Sequence, residues 1–127
     1  VKLPDHQDPI DLPIGDPPGS AMTDLHELTE VVAATEDRPG VKRVLVADHI
    51  RVIVFDFRKG QGLPEHTAAF PIMVQSLRGT IRFTAAGKTT DLAPGSIAHL
   101  TTRLPHAVEA LTDATLLLTM LDPDARN

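Results

Sequence analysis

The chain has 127 residues, a length that suits one domain and can bury a core without disulfides or a structural metal. It holds no cysteine, which excludes disulfides, zinc fingers and thiol nucleophiles, and no apolar run approaches the roughly eighteen residues of a membrane-spanning helix. The net charge of −5 with neutral histidines, and basic clusters no larger than Lys42-Arg43 and Arg58-Lys59, argue against a nucleic-acid partner.

Aromatic side chains are scarce, with four Phe and neither Tyr nor Trp. The core must therefore be built from Val, Ile, Leu and Ala, and stacking on sugars or nucleobases has little support. Residues 1–20, VKLPDHQDPIDLPIGDPPGS, carry Pro4, Pro9, Pro13, Pro17 and Pro18. Proline removes backbone donors and breaks helices and central strands, so the segment reads as an extended arm. Leu3, Ile10, Leu12 and Ile14 give it apolar anchors, more than a wholly disordered tail would carry. It is expected to lie along the domain or a partner subunit. Its proline and aspartate content is unlike a secretory signal, and a cytoplasmic location is the expectation.

Residues 23–35, TDLHELTEVVAAT, read as one helix. Thr23 is the expected N-cap, Asp24 and Glu27 sit near the positive end of the dipole, and Leu25, Leu28, Val31 and Val32 form a stripe. His26 falls near the polar side of that helix. Residues 1–40 are thus read as arm and helix packing on a barrel domain of residues 41–127, one structural domain overall.

After Gly40 the pattern changes to short β segments separated by turn residues. Strands are expected at 41–47, 50–58, 71–77, 80–85, 96–100, 106–111 and 115–121, with shorter pieces at 64–68 and 88–92. TIRFTA alternates cleanly, with Ile81 and Phe83 on one face. RVIVFDF is apolar on both faces, so both should be covered. About eight short strands with tight turns predict an all-β antiparallel barrel or two-sheet sandwich.

Two spacings in this region are specific. Gly60, five residues, His66, and then Gly79 fit the pattern G-x5-H-x-H-x3,4-E-x6-G. Gly95 precedes His106 within PGSIAHLTTRLPHAVEA at the distance of G-x5-P-x-G-x2-H-x3-N. In these two motifs, over residues 41–121, the chain resembles the cupins, small single-domain jelly-roll proteins of the RmlC-like kind. The resemblance implies a double-stranded β-helix, with an N-terminal arm and one short helix added here.

The motifs are degenerate. The second histidine position is Ala68 and the glutamate position is Ile72. Thr101, Arg103 and Ala110 replace the proline, the middle glycine and the terminal asparagine of the second motif. A cupin metal site generally has three imidazoles and one carboxylate around Fe, Mn, Ni, Cu or Zn. Imidazole suits these borderline metals, and a carboxylate helps neutralise their charge. The resemblance therefore implies metal ligands at His66 and His106, with His99 as the best replacement for a lost one. Two histidines alone bind a divalent ion weakly, and Ile72 favours a dry apolar pocket. His49 sits at a turn-like ADH, while Glu65 and Glu109 have the wrong parity to join the pair. Met73 and Gln75 should face away from the barrel interior.

The expected pocket is lined by Ile72, Val74, Phe83, His66 and His106. The function read from these residues is binding of a small molecule in the barrel, with or without a weakly held divalent metal (Zn, Ni, Fe or Mn). The alternative is a metal-dependent enzyme, oxygenase-like or lyase-like, using His66, His106 and His99. A sensory or accessory module without chemistry is a third reading. A homodimer is expected from the two-sided apolar strands and the anchored arm.

Overall fold

The computed structural model describes residues 21–126, so the proline-rich arm read at 1–20 lies outside the described residues. Nine strands follow one another: β1 (Gly40–Ala47), β2 (Ile50–Phe57), β3 (Gly62–His66), β4 (Ile72–Arg78), β5 (Ile81–Ala85), β6 (Lys88–Leu92), β7 (Ile97–Leu100), β8 (His106–Ala110) and β9 (Ala114–Leu121). They are the strands expected from the sequence. They form two antiparallel sheets, ordered β1-β2-β9-β4-β7 and β3-β8-β5-β6, the two halves of a jelly-roll barrel. No helix of the described residues is long and apolar enough to cross a membrane.

Turn chemistry sets the register of two hairpins. Asp48 and His49 both have positive φ, 46° and 73°, in the two-residue connection between the paired Ala47 and Ile50. Ala86 and Gly87 repeat this between Ala85 and Lys88, with φ of 53° and 71°. Two successive left-handed residues match the right-handed twist of the flanking strands. Gly79 of the first motif combines a φ of 75° with a close approach, because a Cβ there would collide with the carbonyl oxygen of Asp113. Only glycine meets both demands.

The core lies between the sheets. Phe57, Ile72, Val74, Ile81, Phe83 and Leu116 are among its buried side chains. Strand β2 explains its own two-sided sequence. Ile53, Phe55 and Phe57 belong to the barrel interior, while Val52 and Val54 are buried outside that cluster. Chain N-terminal to β1 supplies cover on this outer side: the backbone N–H of Ala34 donates to Asp56 Oδ2 at 2.7 Å, and the turn at Leu28–Glu30 lies against β4. Full burial of a valine such as Val54 contributes about 1.5–3 kcal/mol.

That covering segment corrects the helix expected at 23–35. It contains a single 3-10 turn, Leu28–Glu30, and no α-helix. Glu27 stands at its N-terminal edge in the left-handed region, with φ 54° and ψ 42°, which a right-handed helix cannot pass through. Ala34 gives its N–H to the Asp56 carboxylate instead of to a carbonyl four residues back. The helical stripe was real as an apolar pattern, but β-branched Thr29, Val31, Val32 and Thr35 are weak helix formers. Contact with the sheet decided the conformation.

Asp56, 8% exposed, is fully engaged. Arg78 Nη2 and Thr115 Oγ1 donate to its Oδ1 at 3.0 and 3.2 Å, and Arg78 Nε donates to Thr115 Oγ1 at 3.3 Å. At the far end of β2, Arg51 Nε donates to Asp122 Oδ2 at 2.7 Å. That bond, with a further one from the Asp124 N–H, holds the Asp122 carboxyl below the usual carboxylate range. His49 is occupied here, with Nδ1 bonded to the Pro123 carbonyl at 2.7 Å. Its role is to tie the C-terminal turn to the β1–β2 hairpin.

Candidate functional site

His66 ends β3 and His106 begins β8, and the two face each other in the antiparallel register. Their ring centroids are 4.2 Å apart with 60° between the planes. A register irregularity between Leu63 and His66 brings the end of β3 onto this partner. His106 is 3% exposed, whereas His66 is open to solvent.

Both rings are oriented by the same local device. His66 Nδ1 bonds the Pro64 carbonyl at 2.8 Å, and His106 Nδ1 bonds the Leu104 carbonyl at 2.9 Å. A carbonyl oxygen only accepts, so in the neutral ring Nδ1 carries the hydrogen and Nε2 keeps the lone pair. Neither Nε2 has a hydrogen-bond partner among the described residues. The arrangement leaves the Nε2 of each neighbouring ring with its lone pair unbonded, the orientation that metal-binding histidines generally receive from such carbonyl bonds.

The remaining donor positions are apolar. Ile72 is fully buried in the core beside Val74. Ala68 contributes its backbone, accepting the Arg103 N–H at 3.0 Å, so the loop after β3 is pinned to the loop before β8. Arg103, where the resembled motif has glycine, holds a φ of 61°. His99 on β7 pairs with Met73 and is exposed. No three His, Asp or Glu side chains converge among the described residues, so His99 does not complete the pair. Catalytic metal sites hold their ion with about three protein ligands. The two imidazoles here do not fit a tightly held catalytic ion.

A cavity of about 260 Å³ opens between the edge strands β6 and β7. Phe83, Ala98, Leu100 and Leu104 form apolar walls, Lys88 and Thr90 supply polar side chains, and His99 borders it from a strand position that alternates with the inward Ala98 and Leu100. Of the pocket residues expected from the sequence, Phe83 is a wall, while Ile72 and Val74 are packed into the core. The histidine pair is a separate feature joined to the cavity through Phe83, whose ring lies 6.4 Å from that of His106 at 23°.

The sequence reading missed Lys88, Thr90, Ala98, Leu100 and Leu104. Their signal was alternation: Lys88 and Thr90 share parity with buried Leu92, and Ala98 with buried Leu100. It becomes informative only once β6 and β7 are known to be edges. Met73, 36% exposed, does face away from the interior as expected, with Ile97 exposed on the neighbouring strand.

No family model matches the sequence, and no curated protein matches it at a significant level. Solved structures do. An RmlC-like cupin protein from Desulfovibrio desulfuricans is 25% identical, with a TM-score of 0.71 over 79% of this chain and 97% of that one. A conserved protein of unknown function from Streptococcus pyogenes is 24% identical, with a TM-score of 0.70 over 84% of this chain and 93% of that one. A cupin 2 conserved barrel domain protein from Leptotrichia buccalis is 30% identical, with a TM-score of 0.67 over 73% of this chain and 45% of that one.

Proposed function

We propose that this chain, a small protein with the cupin jelly-roll fold, binds a small and largely apolar molecule in the cavity between β6 and β7. The observation that carries the reading is the cavity itself. Its walls are Phe83, Ala98, Leu100 and Leu104, and its volume of about 260 Å³ is just under the roughly 300 Å³ at which drug-sized sites begin. The occupant is therefore compact, of the size of one ring or a short branched chain. Burying such a body against hydrocarbon gains about 25 cal/mol for each Å² removed from water.

The test is a fragment screen read from the methyl resonances of Ala98, Leu100 and Leu104. Compounds that shift them in the wild type and leave the Leu100 and Leu104 methyls unmoved in Ala98→Phe, which fills the cavity, are the expected result. A screen in which no compound shifts these methyls sinks the reading.

A metal-dependent enzyme, oxygenase-like or lyase-like, is the second reading. It draws support from the unbonded Nε2 lone pairs on the neighbouring rings of His66 and His106. Against it stands the two-donor set, since Ile72 and Ala68 offer no side-chain ligand. Elemental analysis of protein purified without chelator decides between them. Close to one equivalent of Fe, Mn, Ni or Zn, lost in a His66→Ala, His106→Ala double variant, puts the enzyme first. Metal at background after incubation with each ion removes it.

A further inference from the structure

The cavity has a polarity of its own. Its charged side chain is Lys88, and no carboxylate lines it. At the start of β6, Lys88 shares the inward parity of Thr90 and Leu92, opposite the outward Asp91. The outward side of this strand pair is already neutralised, because Arg82 holds Asp91 with bonds of 2.8 and 3.2 Å. The ion pairs of the described residues join Asp24 to His26, Arg51 to Asp122, Arg58 to Glu36, Arg78 to Asp56 and Arg82 to Asp91, and Lys88 is in none of them. Across the cavity, the edge strand of the other sheet presents Ala98 and Leu100. A cation and the hydroxyl of Thr90 thus border an apolar hollow, in a chain whose net charge is −5.

We infer that the occupant is a small monocarboxylic acid: its hydrocarbon body lies against Phe83, Leu100 and Leu104, and its carboxylate meets Lys88. This rests on the proposed use of the cavity and adds the ligand's charge to it. A charge-assisted bond to an ammonium is about twice as strong as a neutral one, and Lys88 has no internal carboxylate to give up first. Thr90, of the same inward parity on β6, supplies a further donor. An inward lysine on an edge strand also discourages edge-to-edge pairing of sheets. That role alone predicts no preference for an anion.

Benzoate and 4-methylpentanoate, each beside its own amide, separate these possibilities. Affinities are measured from the Ala98, Leu100 and Leu104 methyl shifts in the wild type, Lys88→Met and Lys88→Gln. The expected result is that at least one acid binds about tenfold or more tighter than its amide. Both Lys88 variants should bring acid and amide to within about threefold, and added salt should weaken the acid alone. Equal binding of acid and amide in the wild type overturns the charge assignment and leaves the cavity reading standing. An acid preference that survives both Lys88 substitutions overturns the role of Lys88. No shift from any acid or amide at about 10 mM, a concentration that reveals even millimolar binding, removes both the inference and the reading beneath it. Lys88 is exposed and in no ion pair of the described residues, so its variants should fold as the wild type does.

Discussion

Strand β2 presents two buried faces with opposite chemistry. On the inner side, Ile53, Phe55 and Phe57 join a core that includes Ile72 and Val74. There the position at which the resembled motif carries a carboxylate has become hydrocarbon. On the outer side, Val52 and Val54 are buried next to Asp56, a carboxylate answered by Arg78, Thr115 and the Ala34 N–H. Charge has been kept where every lone pair can be satisfied and where it fastens one segment to the sheet. It is missing where it would have neutralised a metal. A buried carboxylate in this chain thus belongs to architecture, and the interior beside the histidines is left to imidazole and hydrocarbon.

Four substitutions test that contrast, the largest effect first. Asp56→Ala should cost about 2–4 kcal/mol, seen as a lower urea midpoint at unchanged slope. The loss comes mainly from orphaning the Ala34 N–H and Thr115 hydroxyl, because Arg78 is half exposed and can rehydrate. A cost under about 0.5 kcal/mol, the range of ordinary surface changes, would mean that the covering segment does not depend on this carboxylate.

The histidine pair should be unequal. His106→Ala should lose about 1–3 kcal/mol, since it empties a buried site and abandons the bond to the Leu104 carbonyl. His66→Ala should stay within about 0.5 kcal/mol, because its ring is in solvent. Equal losses would show that the two rings act as one structural unit, and the comparison is made by paired denaturation curves.

One small effect has the opposite sign. Arg103 holds a left-handed φ that costs a side chain about 1–2 kcal/mol, and glycine returns part of this through its freer unfolded state. Arg103→Gly should therefore raise stability by about 0.5–1 kcal/mol, read as a higher melting temperature. A fall would show that the Arg103 side chain contributes something that outweighs the strain.

The sequence by itself determined the strand plan, the positions of the tight turns and the facing of alternate residues. Those properties rest on period-two hydrophobicity and on local φ preferences, which act over a few residues. It also singled out His66 and His106, because the glycines and histidines of the motifs stand at fixed spacings. The tertiary structure decided three things that no local pattern contains. Residues 23–35 gave up a helical stripe because contact with β2 and β4, and the Asp56 carboxylate, outweighed weak helix propensity. His99 was set apart from the pair because the order of strands places β7 at the edge of the other sheet. The cavity went to Lys88, Thr90, Ala98, Leu100 and Leu104 because β6 and β7 face each other across a gap, and a gap between residues distant in sequence is visible only after the sheets have closed.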